Sequence, residues 1–295
     1  MVDLGVQPDT FNMLSGLFRA GKGEDALKLF SKMQLRDNHE MSLDSNTYNV
    51  MIDGLCKQGQ LQKANDLFLE MQDHGCIPDV VTYNTMISGF CKGGQLEKAN
   101  DLFLKMEEKG RAPDVVTYSA LISGFCKEGQ MEKANDLFLK MEEKGRAPDV
   151  VTYSALISGF CKEGQMEKAN DLFLEMEEKG CTPNVVTYSA MINGFCEEGQ
   201  LEKANDLFLE MEEKGCTPNV VTYSAMINGF CEEGQLEKAN DLFLEMEEKG
   251  CTPDVVTYSA MISGFCNGGQ LEKANDLFLK MAEKGCIPDV VTYSA

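Results

Sequence analysis

The chain has 295 residues, a formal charge of −21 and a pI near 4.5. Hydrophobic residues make up 43% of it, yet no apolar run approaches the roughly 20 residues that a membrane helix needs, so no membrane partner is expected. Taken as a whole-molecule number, this acidity argues against nucleic acid and for a solvated, self-repelling surface.

In chain order, the opening MVDLGVQPDTF shows neither a secretory signal nor an Arg-rich amphipathic transit segment. Residues 1–44 read as a degenerate N-terminal unit. Thr10-Phe11-Asn12 echoes Thr82-Tyr83-Asn84, and Ala26-Leu27-Lys28-Leu29-Phe30 echoes a later amphipathic segment. Its tail, Met33 to Asp44, is three residues longer than the matching Met71 to Asp79. Terminal units of stacked repeats are commonly atypical because one face meets water.

Residues 45–289 are seven tandem units of 35 residues, running without a gap from Ser45 to Asp289. The type unit is Val115–Asp149, VVTYSALISGFCKEGQMEKANDLFLKMEEKGRAPD. Val150–Asn184 departs from it only at Glu175, Cys181, Thr182 and Asn184. Such near-identity is the mark of duplication or of design. Within the type unit, Tyr118, Leu121, Ile122 and Phe125 recur at helical spacing. Gly129 then stops the helix, since glycine alone enters the left-handed region cheaply. Met131, Ala134, Leu137, Phe138 and Met141 form a second stripe; Gly145 ends it and Pro148 blocks continuation. Asp149 sits where the next helix needs an N-cap. Each unit is therefore predicted to be a helix–turn–helix whose stripes are buried only by stacking on neighbours. The expected fold is an all-α, right-handed superhelical solenoid. The stripe of the first helix left over, Val116, Ser119, Ser123 and then Lys127, is small and polar, as suits a surface that something lies against.

Residues 290–295 are a truncated stub, too short for a helix of its own. It leaves the last second helix (Leu271, Ala274, Leu277, Phe278, Met281) poorly covered. End-to-end homo-association through these uncapped termini is the expectation.

The acid is unevenly spread. Units 80–114 and 115–149 carry 0 and −1, unit 150–184 carries −3, and units 185–219 and 220–254 carry −5 and −6. Much of it lies on second helices, as at Glu175, Glu210 and Glu212. Seven of the 12 cysteines recur in first helices (Cys56 to Cys266) and five precede the loop prolines. No Cys-x-x-Cys pair or nearby His set supports a metal site, so small buried or half-buried thiols are expected. The only histidines, His39 and His74, fall outside the repeated pattern. With no glycine-rich phosphate loop either, no catalytic residues, no cofactor and no enzymatic activity are expected.

The period of 35, the opening VVTYNTMISGFCK at Val80–Lys92 and the closing KGRAPD or HGCIPD resemble the pentatricopeptide repeat family, in particular its plant-type arrays of 35-residue units. The tetratricopeptide pattern, with period 34 and a Trp-x-x-Leu-Gly start, is absent. The repeats fill the sequence and leave no stretch resembling an endonuclease or deaminase domain. The resemblance implies single-stranded RNA as partner, one base read per repeat in the 5′ to 3′ direction, and a mitochondrial or chloroplast location. It implies that the base edge is met by a polar residue of each first helix: Asn49, Asn84, Ser119, Ser154, Ser189, Ser224 and Ser259. The unit's closing residue selects with it: Asp79, Asp114, Asp149, Asn184, Asn219, Asp254 and Asp289. It implies that Val81, Val116, Val151, Val186, Val221, Val256 and Val291 sandwich the bases, with Asn46 departing from valine in the first full unit. It implies that Lys57, Lys92, Lys127 and Lys162 meet the RNA backbone, a role that Glu197, Glu232 and Asn267 do not keep. With the family's pairings, Asn/Asp implies U, Ser/Asp implies G and Ser/Asn implies A, giving 5′-UUGAAGG-3′. The degenerate pair Asn12/Asp44 adds a U before it. The alternative is a protein-interaction scaffold on the same concave surface, which the acidity favours. N-capping by Asp or Asn accounts for any single closing residue without RNA.

Overall fold

Each unit folds as a helical hairpin because its punctuation is built into the repeat. In the type unit the first helix ends at Lys127, and Gly129 takes φ 69°. Its N–H bonds Cys126 O at 3.2 Å while Gln130 N–H bonds Phe125 O at 2.9 Å, satisfying the last carbonyls. Gly145 closes the second helix in the same manner at φ 67°. The structure, a computed structural model, describes residues 10–34 and 44–294, the side chains of residues 10, 11 and 291 excepted. Among the described residues there are 17 helices and no strand.

The chain divides into two compact units, Met1–Thr152 and Tyr153–Ala295. The first holds α1 (Thr10–Arg19), α2 (Gly23–Gln34), α3 (Ser45–Lys57), α4 (Leu61–Asp73), α5 (Val80–Lys92), α6 (Leu96–Glu108), α7 (Val115–Lys127) and α8 (Met131–Glu143). The boundary falls inside α9 (Val150–Lys162). The second holds α10 (Met166–Glu178), α11 (Val185–Glu197), α12 (Leu201–Glu213), α13 (Val220–Glu232), α14 (Leu236–Glu248), α15 (Val255–Asn267), α16 (Leu271–Glu283) and α17 (Val290–Ser294).

Within each unit the helix pairs stack in chain order. First helices pack on first helices, α3 on α5 and α5 on α7, then α11 on α13 and α13 on α15. Tyr118, Leu121, Ile122 and Phe125 are buried on α7, and Met131, Ala134, Phe138 and Met141 on α8. Within each of the two compact units, aromatic pairs run from one repeat to the next. Phe103 meets Tyr118 edge-on at 5.5 Å in the first unit, and Phe208 meets Tyr223 at 5.5 Å in the second. Such a pair contributes about 0.5–1.5 kcal/mol beyond its area burial.

Two features set the spacing of the first helices. Gly89 lies where a Cβ would come within 2.6 Å of Cys56 Sγ, and at Gly229 it would lie 3.0 Å from Cys196 Sγ. Glycine costs a helix interior about 1 kcal/mol, but here it lets the next first helix seat against a small thiol. The cysteines accordingly line the joints: Cys91, Cys126, Cys161 and Cys196 are buried. Burial pushes the Cys91 and Cys196 thiols up to about 12.

The structure corrects the reading of the stub: Val290–Ser294 is helical as α17. Length alone did not decide it, because tertiary bonds replace the missing turns. Asp289 Oδ1 caps it through Thr292 N–H at 2.9 Å, Thr292 Oγ1 lies 2.7 Å from Ser259 Oγ, and Tyr293 packs edge-on against Phe278 at 5.9 Å. The last second helix is thinly covered, as expected. Leu271 is 65% exposed, whereas Leu96 and Leu201 at the same place are 5% and 8% exposed. The acidic second helices are also less bare than their composition suggests. Lys140 bonds Glu107 of the preceding repeat at 2.9 Å, and Lys249 bonds Glu212. Such partly exposed pairs are each worth about 0–1 kcal/mol.

Candidate functional site

The closing residue of each unit is the N-cap of the following first helix. Asp114 takes an extended conformation, and its Oδ1 accepts from Thr117 N–H at 3.0 Å. Thr117 Oγ1 accepts from Asp114 N–H at 3.1 Å, which completes a reciprocal capping box. Asp79, Asn184, Asn219 and Asp254 form the same box, and Asp149 and Asp289 make the matching cap bonds. Capping is thus real at these positions.

The cap also joins the polar residue on the first helix of its own unit. Asn84 Nδ2 donates to Asp114 Oδ1 at 3.0 Å, and Ser119 Oγ donates to Asp149 Oδ1 at 3.2 Å. Between them stands the threonine at the third position of the next first helix. Its Oγ1 reaches Asn49 and Asp79 from Thr82, at 2.7 and 2.9 Å. From Thr117 it reaches Asn84 and Asp114, at 2.6 and 3.0 Å. Thr152 reaches Ser119 and Asp149, at 2.7 and 2.8 Å. In the second unit Thr187, Thr222, Thr257 and Thr292 each lie 2.7 Å from Ser154, Ser189, Ser224 and Ser259, respectively. Their bonds to Asn184, Asn219, Asp254 and Asp289 run from 2.9 to 3.2 Å.

Burial of Asp79 and Asp114 tends to raise their carboxyls. The Thr82 and Thr117 donors, joined by Asn49 and Asn84, outweigh that and hold both below the ordinary aspartate value.

The leftover stripe of the first helix is therefore not open along its whole length. Val116 is 58% exposed, but Ser119 is 5% exposed and sealed against Thr152. Val81, Val151, Val186, Val221 and Val256 are likewise 55–61% exposed, while the side chain of Val291 lies outside the described residues, as does His39. Asn49 and Asn84 are half-buried.

In the first unit these residues line two successive grooves. One, of about 750 Å³, is lined by Val81 and Val116, by Asn84 and Asp114, and by Lys57 and Lys92. The next, of about 410 Å³, repeats the arrangement with Val116, Val151, Ser119, Asp149, Lys92 and Lys127. Each is thus lined by two valines from neighbouring repeats, a hydrogen-bonded pair of polar side chains and two lysines. Lys57 is ion-paired to Asp53 at 2.7 Å; Lys92, Lys127 and Lys162 are exposed. Glu197 and Glu232, at the same place in the second unit, accept from Asn193 and Asn228 at 2.8 and 2.9 Å. Asn267 is exposed. Asn46 is exposed in the place that valine holds elsewhere.

The threonine network is what the sequence reading missed. Its signal was present: a threonine three residues after every closing Asp or Asn, which is capping-box spacing. Among the described residues, no group of His, Cys, Asp or Glu is placed to hold a metal ion, and no helix is long and apolar enough to cross a membrane.

Comparison with known proteins bears on this arrangement. The PPR repeat family matches residues 43–92, 78–127, 113–162, 148–197, 183–232, 220–267 and 254–295, and the PPR repeat matches 12–38. A mitochondrial pentatricopeptide repeat-containing protein of Arabidopsis thaliana is 35% identical over 81 residues, covering 26% of this chain and 18% of that protein. The crystal structure of the maize pentatricopeptide repeat protein PPR10 is similar, with a TM-score of 0.65 and 28% identity; 96% of this chain and 40% of that one are covered. PPR10 in complex with an 18-nucleotide psaJ RNA element shares the fold at TM-score 0.54 and 24% identity, over 96% of this chain and 50% of that one. This chain thus spans half or less of the length of these relatives.

Proposed function

The chain belongs to the PPR repeat family, and from that premise we propose that it binds single-stranded RNA sequence-specifically, one base per repeat, with 5′-UUGAAGG-3′ as its preferred heptamer. The observation that carries this reading is the pair of successive grooves in the first unit. Each is lined by two exposed valines from neighbouring repeats, a bonded pair of polar side chains and two lysines. A planar base fits between such walls, and its Watson–Crick edge then meets the polar floor.

The chemistry of that floor supports the base assignment. Every closing side chain turns Oδ1 inward to its cap. An aspartate then has only its second carboxylate oxygen to offer, an acceptor; an asparagine offers its NH₂, a donor. Uracil and guanine carry a ring N–H on the Watson–Crick edge, whereas adenine carries a bare ring nitrogen. Asp79, Asp114, Asp149, Asp254 and Asp289 accordingly go with U or G, and Asn184 and Asn219 with A. The first-helix residue divides the aspartate class by size. Half-buried Asn84 fills space beside Asp114, which favours the smaller uracil, while sealed Ser119 leaves room for guanine.

Lys57, Lys92, Lys127 and Lys162 serve the phosphates, so the 5′ half of the site grips more strongly than the 3′ half, where Glu197 and Glu232 stand. The activity is binding without catalysis. PPR10 is a precedent for RNA binding by an array of this fold, and the mitochondrial Arabidopsis relative supports an organellar location. The test is selection from a pool of random RNA oligomers in competition with matched DNA and with peptides. Enrichment of UUGAAGG is the expected result; preferential capture of peptides, or equal capture of DNA, would reject the reading.

A further inference from the structure

From α5 to α17, each first helix keeps one buried threonine hydroxyl for which base reading as described has no use. Thr187, the third residue of α11, is 0% exposed. Its Oγ1 lies 2.7 Å from Ser154 Oγ and donates to Asn184 Oδ1 at 3.2 Å. The backbone N–H groups of Val186 and Thr187 donate to the same oxygen at 2.9 and 3.1 Å. Three donors thus converge on one end of the Asn184 amide. Turning the amide over would set donors against donors, so its NH₂ is held outward. Of those three donors, only the threonine hydroxyl also touches the first helix of the preceding repeat.

A capping box is complete within its own helix and needs no such second contact. The second contact is nonetheless made whether the closing residue is Asn or Asp and whether the first-helix residue is Ser or Asn. Burial removes water that would otherwise substitute for it, which makes the bond a fixed one.

We propose that this threonine is a positioning residue for base selection: its hydroxyl locks the closing Asp or Asn against the Ser or Asn of the preceding first helix, so that the two present a single hydrogen-bonding pattern to one base. The inference rests on the one-base-per-repeat reading. Without the hydroxyl, the helix still forms and the valines still flank the base. The closing side chain, however, gains rotamer freedom, and preorganised discrimination is lost at that base alone.

The test uses the full chain carrying Thr187→Val or Thr187→Ser. Affinity is measured for 5′-UUGAAGG-3′, for the same RNA with its fourth base A changed to G, and for the RNA with its sixth base G changed to A. The parent is expected to discriminate roughly tenfold or more at both bases, the size of a good hydrogen-bonded base contact. Thr187→Val is expected to fall to about threefold or less at the fourth base while keeping the sixth, as the loss of one preorganised contact implies. Thr187→Ser is expected to keep both. The sixth base, read by intact Thr257, reports that the chain is folded, and Thr222→Val tested at the fifth base repeats the experiment one repeat away. Retention of full fourth-base discrimination by Thr187→Val overturns the inference alone. Equal loss at both bases, or failure of the serine variant to restore preference, assigns Thr187 a structural role and also overturns it. A parent with no preference at either base overturns the base-per-repeat reading, and this inference with it.

Discussion

Asn84 Nδ2 donates a hydrogen bond to Asp114 Oδ1 at 3.0 Å. The two side chains assigned to one base are therefore partners of each other, held 30 residues apart in sequence by the hairpin between them. Where serine takes the place of asparagine, Ser119 bonds Asp149 at 3.2 Å and withdraws to 5% exposure. The difference in reach predicts the effect of exchanging them. Asn84→Ser is expected to move the second base of the target from U toward G, with a change in discrimination of about 1–3 kcal/mol. Dissociation constants for UUGAAGG and UGGAAGG measure it. An unchanged preference for U would mean that Asn84 does not set base size.

Glu197 and Glu232 occupy the place that Lys92 and Lys127 hold in the first unit, at the end of a first helix. Replacing both glutamates with lysine is expected to tighten RNA binding. Each new phosphate contact steepens the dependence of log affinity on log salt by about 0.7 for a single strand. Base preference is expected to hold, because phosphates carry no sequence information. A salt titration of the double variant on UUGAAGG checks this. An unchanged slope would place those side chains away from the backbone of the RNA.

Much of the architecture was legible in the repeat itself. Period, helix spacing, the stops at Gly129 and Gly145 and the double use of closing Asp or Asn all follow from residue types at fixed offsets. The burial of Ser119 was not legible. A serine at that offset faces solvent or a neighbouring hydroxyl depending on how closely two first helices approach. At the equivalent Ser189, which meets Thr222, that distance depends in turn on Gly229 of α13 meeting Cys196 of α11, a contact 33 residues apart. The same holds for α17 and for the second-helix carboxylates. Local length and composition describe them as frayed or solvated, but Ser259 and Lys140 supply partners from other elements.

The glycine–cysteine joint makes its own prediction. Gly89→Ala would put a methyl group 2.6 Å from Cys56 Sγ and 3.0 Å from its Cβ. Overpacking of this kind costs about 1–3 kcal/mol, against the roughly 1 kcal/mol that alanine adds in helix propensity. A net loss of up to about 2 kcal/mol in urea unfolding is expected, and Cys56→Ala in the same chain is expected to recover part of it. Additive losses would show that the thiol is not the obstacle.

Acid stability is expected to depend on the caps of the first unit. Asp79 and Asp114 are held below the ordinary aspartate value in the folded chain. A carboxylate whose pKa is depressed on folding stabilises above its unfolded pKa, near 3.9, and that contribution is lost as pH falls through the folded value. Asparagine caps a helix about as well but does not titrate there. The variant Asp79→Asn with Asp114→Asn is therefore expected to lose less of its urea stability than the parent between pH 6 and pH 3. Equal losses would assign the acid sensitivity to other groups.

The most direct test of the central claim is the affinity of the full chain for 5′-UUGAAGG-3′ beside its complement 5′-CCUUCAA-3′ and the DNA strand of the same sequence. Each mismatched contact costs about 1–3 kcal/mol when read by hydrogen bonds. The account predicts tight binding to UUGAAGG, with binding to the complement and to the DNA weaker by orders of magnitude. Equal affinity for UUGAAGG and its complement would contradict it.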